Sequence, residues 1–579
     1  MRTIGKWLFD GSWLGLWDKR QQHREATGQW RGITLLLCLM ALLLGVQNPL
    51  LYGMTPAFDA SLFATMGKMW AEGDVLYRDM MDIKGPMIFL FDAIGYKAGG
   101  FPGIAVLEIL LLALGLNLGY RALARLGFSP VVRLVSLLWV IGLCALRYYY
   151  GNMTEDYTLY LGLIASYSFV SLLDEGRFSW RHAWLPAFTF GLIAMMRLNN
   201  GALWGACYAA IFLIWVWRRQ WQDACLLFVS ALLGVAVVSL PLVAYFHLHG
   251  ALENFWFYSF GIFMGKSYGN GFSLAVGAVG LFRTGLILLL LPALALLHVQ
   301  YRSTSDGAAK NRLLGLALIL ALGAVFATVS NSVSGHIYDH YDQIFLVYLP
   351  FALAVSLQTL GQRWQENSLT VRLLALLLPL SVLYLIFPHL LFAWTRFEWP
   401  MSKVLHDLGL SLVLAMLCCL PLLLLWRPVG LGRRLPGVAT LLVLLAPLWV
   451  LAYSAWTGAH TGRPFNEDTA AEIALIRAQT TPEDRIWVDG VVPQFYVWCD
   501  RKPGAAYLFF DNVTPPFDVK ERVLADIQRT KPKFIIIRKK RLAAVTAKDA
   551  VLTPSQQAFY GYVFGQYEPV LPGIFRRKE

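Results

Sequence analysis

The sequence predicts an α-helical polytopic membrane protein of about 13 transmembrane helices, followed by a small α/β domain. Of 579 residues, 57% are hydrophobic and 15% charged, well below the roughly 25% charged residues of a soluble domain. The apolar residues gather into runs close to the roughly 20 needed to cross a hydrocarbon core. Near Thr461 this pattern collapses.

Before the first apolar run, residues 1–32 form a basic leader expected on the cytoplasmic side. Its segment KWLFDGSWLGLWDKR interleaves Trp7, Phe9, Trp13 and Trp17 with charges. That is the composition of an interfacial helix, with a disordered tail as the alternative. The run from Thr34 to Leu51 follows Lys6, Lys19, Arg20, Arg24 and Arg31 with no small-residue cleavage site, and reads as a signal anchor. Residues 33–460 form the transmembrane module, its spans centred near residues 42, 112, 139, 164, 190, 209, 235, 285, 320, 351, 382, 416 and 447. An odd number of spans places the termini on opposite sides. With the N-terminus inside, every cytoplasmic loop is basic, from Arg121 and Arg125 through Arg218 and Arg219 to Arg433 and Arg434. The net charge of +13 is therefore the positive-inside bias, and no nucleic-acid partner is expected. Of the seven cysteines only Cys499 falls in a polar segment, so neither a disulfide framework nor a zinc site is expected.

The outward loops carry the polar residues that need explaining. The first, residues 52–100, begins with Phe58, Leu62, Phe63, Met66, Met69 and Trp70 at helical spacing, too short to span and expected to lie on the membrane surface. Asp59 opens that helix, either as a dipole-stabilising carboxylate or as a functional one. A second short helix, Pro86 to Tyr96, is introduced by Gly85-Pro86. Asp79, Asp82 and Lys84 precede it at a rigid turn, as solvated loop charges or as parts of a site. Glu155 and Asp156 stand at the mouth of the fourth span, as caps or as positioning carboxylates. Arg197, Asn199 and Asn200 end the fifth span, and His336, Tyr338, His340 and Tyr341 form a later loop. His336 and His340 have an i, i+4 spacing that a metal can use, but no Glu-x-x-His pattern accompanies them. Residues 461–579 read as an extracytoplasmic α/β domain: DTAAEIALIRAQ and DVKERVLADIQR as helices, the second capped by Asp518, and RIWVDG and KFIIIRK as strands.

These residues resemble the GT-C class of glycosyltransferases, nearest to bacterial members of the family that includes aminoarabinose transferases and protein O-mannosyltransferases. FDASLFATMGKMWAEGDVLYRDMMDIKGP carries most of the likeness, supported by GNMTEDY, RLNN and IYDHYDQ. The resemblance implies inverting transfer of one sugar from a polyprenyl-phosphate carrier to an extracytoplasmic envelope acceptor, whether glycan, lipid or protein. It implies Asp59 as general base, or as orienting group if the acceptor is already a phosphate anion. Lys84, Arg197 and His340 are then the groups for the departing phosphate. Asp79, Asp82, Glu155, Asp156, Asn199 and Tyr338 are placed on the acceptor or sugar side. The aminoarabinose transferases carry Lys-Pro-Pro where Lys84-Gly85-Pro86 stands here, a departure bearing on sugar and acceptor more than on class. The oligosaccharyltransferase branch marks its metal with Asp-x-Asp in a later loop, which is not seen here. The implied chemistry uses no cofactor, with a divalent metal not favoured. The implied location is the bacterial inner membrane, among membrane lipids. A transporter or flippase, or an envelope polysaccharide polymerase or ligase, is the alternative; a transporter usually shows repeated halves, which this sequence lacks.

Overall fold

The computed structural model describes residues 29–54, 57–147, 151–262, 272–283, 286–333, 339–363, 467–490, 492–508, 519–547 and 549–579. The helices are α1 (Gln29–Gly45), α2 (Phe58–Ala71), α3 (Pro86–Arg125), α4 (Pro130–Arg147), α5 (Thr154–Glu175) and α6 (Trp180–Ala194). There follow α7 (Ala202–Trp217), α8 (Trp221–Leu248), α9 (Leu252–Trp256), α10 (Leu274–Arg283), α11 (Leu286–Ser303), α12 (Gly307–Ser332), α13 (Gln343–Leu346) and α14 (Leu349–Arg363). The chain is a multi-pass membrane protein. Among the described residues four helical stretches are long and apolar enough to cross a bilayer, or five when the pair on either side of residues 347–348, bent by 44°, counts as one. The count of about 13 is thus not reached within the described residues, and the expected spans near 382, 416 and 447, like the leader 1–28, lie outside them.

Small residues set the helix crossings, as expected where no hydrophobic drive separates helix from lipid. A Cβ on Gly234 of α8 would meet the Ala187 carbonyl oxygen of α6 at 2.0 Å, and one on Gly191 would meet the Gly234 oxygen at 2.3 Å. α3 is two helices broken at Gly99 and Gly100, the latter at φ 66°. Gly95 and Gly103 then pack the two halves against each other, a Cβ on Gly103 reaching the Gly95 oxygen at 2.1 Å. The first half is the short Pro86–Tyr96 helix of the sequence, and the second is the span near residue 112.

α2 differs from expectation. Its residues Ala60 through Met69 are all buried, so it does not lie on a membrane surface as a one-faced helix. Two things cover it: Gly67 lets α3 approach until a Cβ would touch that of Asp92 at 2.3 Å, and the C-terminal domain sits on its other side. Lys68, 5% exposed, reaches Asp500 Oδ1 at 2.5 Å.

That domain comprises α15 (Glu467–Ala478), β1 (Arg485–Asp489), α16 (Gln494–Cys499), β2 (Lys502–Pro503), α17 (Val519–Thr530), β3 (Phe534–Ile537), α18 (Lys539–Thr546), α19 (Pro554–Gln566), β4 (Tyr567–Leu571) and β5 (Ile574–Arg577). The strands lie in the order β2-β1-β3-β5-β4. β1 pairs parallel with β2 and β3, Ile486 opposite Phe534, while β5 pairs antiparallel with β3. The four elements read from the sequence are present, although Asp518 lies outside the described residues. β2, the β4–β5 hairpin and α16, α18 and α19 were not anticipated: β2 is two residues long, and Glu568 and Pro569 break the apolar alternation of β4.

Candidate active site

The site is built where the first loop meets the ends of α5 and α6. Its frame is the segment 74–85. Tyr77, fully buried, adopts φ 65° and stacks among Phe246, Phe255 and Tyr258. Its hydroxyl donates to the Lys84 carbonyl at 2.6 Å and accepts from Ser259 at 3.0 Å. Burial pushes this phenol far above its usual range, so it remains a donor at any working pH. The Lys84 amide donates to Asp82 Oδ1 at 2.8 Å, closing a tight turn. Burial pushes the Asp82 carboxyl up, while Lys84 pulls it back.

Gly85 joins this turn to the end of α6. Its amide donates to the Met196 carbonyl at 3.0 Å and the Met87 amide to that of Met195 at 3.1 Å. A Cβ on Gly85 would meet the Met195 oxygen at 2.2 Å. This close approach is a physical reason for Gly-Pro in place of Pro-Pro. It sets Lys84 beside Arg197, two residues beyond Met195.

Arg197 is 13% exposed, forms an ion pair with Glu155, itself 3% exposed, and stacks 4.3 Å over the Tyr341 ring. Glu155 also accepts from Thr154 Oγ1 at 2.9 Å. His340 meets Tyr341 edge-on at 4.7 Å and lies within electrostatic reach of Asp59, Glu155, Arg197 and Lys84. Asp59, half-buried on the first turn of α2, is likewise within reach of Asp82. Lys84 holds its ammonium 5.8 Å from the Phe63 ring. Residues distant in sequence, Asp59, Asp82, Lys84, Glu155, Arg197 and His340, therefore share one charged cluster.

The other candidates fall elsewhere. Asp79 turns away, binding Arg78 through two hydrogen bonds at 3.0 and 2.8 Å and accepting from the Val75 amide at 2.7 Å. Asp156 accepts from the Met153 amide at 3.1 Å, the capping geometry. Asn199 exchanges hydrogen bonds with Ser330 of α12, and Asn200 donates to Thr158 at 3.0 Å. Both amides thus brace the turn that carries Arg197. Tyr338 and His336 lie outside the described residues.

Sequence reasoning passed over Tyr77 and Asn152. Asn152, at φ 56° and buried, donates from its backbone amide to Glu108 Oε1 at 2.9 Å and from its side-chain amide to Asp92 Oδ2 at 2.7 Å. Asn48 reaches the other Glu108 oxygen at 2.5 Å. This network lies behind Glu155 and fixes where α5 starts. The signal was a polar residue inside GNMTEDY that no cap or span required.

No protein-family profile matches the chain, and no curated relative matches it. Among solved structures, the crystal structure of ArnT from Cupriavidus metallidurans bound to undecaprenyl phosphate matches with a TM-score of 0.58 at 14% identity, covering 90% of this chain and 95% of that one. The chain has the ArnT fold. The apo ArnT structure matches with the same score at 15% identity. At such identity the likeness is one of fold, and that fold is the GT-C architecture expected from the sequence.

Proposed function

We propose that the protein is an inverting glycosyltransferase that moves one sugar from a polyprenyl-phosphate carrier to an extracytoplasmic envelope acceptor. The observation that supports this most is the grouping of Asp59, Lys84, Arg197 and His340 in a fold shared with a protein that binds undecaprenyl phosphate.

In the proposed reaction an acceptor hydroxyl oxygen attacks the anomeric carbon from the face opposite the phosphate. Its proton passes to Asp59, the carbon–oxygen bond to the carrier breaks, and that electron pair leaves with the polyprenyl phosphate. Lys84 and Arg197 meet the charge that develops on the leaving oxygen. Fixed cations at a water-poor site act without reorganisation, which makes this stabilisation effective. Glu155 holds the Arg197 fork in place, and His340 adds a donor. For an acceptor that is already a phosphate anion, Asp59 orients it instead of taking a proton. Asp82 and Glu155 complete the sugar side, and no step passes through a metal; full activity in EDTA is the check on that part.

The site and the C-terminal domain are assigned to the extracytoplasmic face of a bacterial inner membrane. Labelling of Arg529→Cys by an impermeant maleimide in intact spheroplasts tests that sidedness. The reaction itself is tested with purified protein, a panel of radiolabelled polyprenyl-phosphate sugars and native membrane extract as acceptor. Asp59→Asn is expected to lose about 10²- to 10⁴-fold in rate. Turnover surviving that substitution would make Asp59 an orienting group, and no turnover of any donor would overturn the reading.

A further inference from the structure

A polar cavity of about 360 Å³ lies between the first loop and the C-terminal domain, with no residue of the Asp59–Lys84–Arg197 cluster in its wall. The loop contributes Asp74, Arg78 and Asp79, and the domain contributes Arg485, Arg522, Asp526 and Arg529. Each wall carboxylate has a cation: Arg78 lies 2.8 Å from Asp79, Arg529 lies 2.6 Å from Asp526, and Lys502 lies 2.9 Å from Asp74. Lys502 stands outside the wall and also lies 3.0 Å from Glu72; within the wall four guanidiniums face three carboxylates, so the cavity is net cationic. Arg485 donates to the Pro503 carbonyl at 2.8 Å, which fixes the plane of its fork. A planar guanidinium presents paired donors matched to a phosphate or carboxylate, while carboxylates in the same wall accept from hydroxyls.

Size and composition together narrow the ligand. The volume lies in the range of small-molecule sites and is far more than a bare oxyanion fills. Tyr507, held by Tyr258 at 2.6 Å, adds an aromatic ring to the wall. We propose that this cavity binds a saccharide unit bearing a phosphate or carboxylate, as the anionic portion of the acceptor. The acceptor assignment rests on the transfer reading above; the binding itself does not. The wall and the reactive cluster share the loop segment 74–85: the Met81 amide donates to the Ala506 carbonyl at 2.9 Å, three residues before Lys84. An acceptor anchored here is therefore held next to the segment that carries Lys84.

The test uses the full chain in nonionic detergent. Glucose 1-phosphate, glucuronate, glucose and inorganic phosphate are titrated calorimetrically into wild type, Arg522→Gln and Arg485→Gln. Arg522 is exposed, so its variant keeps the test valid if loss of the Pro503 contact unfolds the other. Both anionic sugars should bind, glucose should not, and each variant should weaken binding about tenfold or more. Hydrolysis of the lipid-linked donor by water should be unchanged in Arg522→Gln while KM for the acceptor rises. Equal binding by the variants, or inorganic phosphate binding as tightly as the sugars, would overturn the proposal. So would binding seen only in nanodiscs of anionic lipid, which would mark a headgroup site. Absence of both donor hydrolysis and label transfer to membrane extract in wild type would instead sink the transfer reading and leave the binding result standing.

Discussion

Replacing Gly85 with alanine should slow the proposed transfer reaction without unfolding the protein. A methyl group there would stand 2.2 Å from the Met195 oxygen, 2.8 Å from its carbonyl carbon and 3.0 Å from the Met196 oxygen. Relieving the first contact to an ordinary van der Waals separation moves the two strands apart by about 1 Å. Backbone atoms supply the clash, so no rotamer change absorbs it. The displacement stretches the hydrogen bonds from Gly85 and Met87, at about 1 kcal/mol each, or about 2 kcal/mol together. It also separates Lys84 from Arg197 by a similar distance, and a misplacement of about 1 Å costs on the order of 10²-fold in rate. The expected result is a thermal midpoint lowered by a few degrees, a fall in kcat of about 10²-fold, and little change in donor binding. The assays are label transfer from the polyprenyl-phosphate sugar and fluorescence-monitored melting in detergent. A Gly85→Ala variant with wild-type kcat would refute the claim that this close approach spaces the two cations.

Tyr77→Phe removes the donor to the Lys84 carbonyl and should lower kcat about tenfold with KM nearly constant, measured by initial rates over a range of donor concentration. Asp500→Asn keeps the left-handed backbone preference at φ 55° but removes the nearer carboxylate of buried Lys68, leaving Glu72 at 4.0 Å. A loss of about 1–3 kcal/mol is expected, read as earlier proteolytic release of the C-terminal domain on heating. For Asp79, burial opposes ionisation, but the hydrogen bonds from Arg78 and the Val75 amide outweigh it and hold the carboxyl below its ordinary value. A depressed folded-state pKa stabilises above the unfolded value, about 3.9, and that stability is lost as pH falls through the folded one. The melting difference between wild type and Asp79→Asn should accordingly be constant near neutrality and shrink below about pH 4.

The helical bundle was legible because apolar runs and basic loops are local patterns. The start of α3 was legible for a similar reason, at Gly85-Pro86, and so was the division between the short helix to Tyr96 and the span near residue 112. Burial of α2 was not legible, since what covers it is more than 400 positions away in sequence, as the Lys68–Asp500 pair shows. The same holds within the site. Lys84 and Arg197 each stood out, but the welding of their backbones through Met195 and Met196 has no sequence signature beyond a glycine. Asp79 looked equivalent to Asp82 in sequence, yet Asp79 lines the cavity beside the C-terminal domain while Asp82 faces Lys84 and Asp59.

That weld bears on how the protein moves. Lys84 and Arg197 come from different segments, but peptide hydrogen bonds set the separation of their backbones, while Glu155 and Tyr341 place the Arg197 head. A displacement of the end of α6 therefore carries the Lys84 and Arg197 backbones together. Like the fixed jaws of a calliper, the two backbone positions keep their spacing while the side chains they carry adjust.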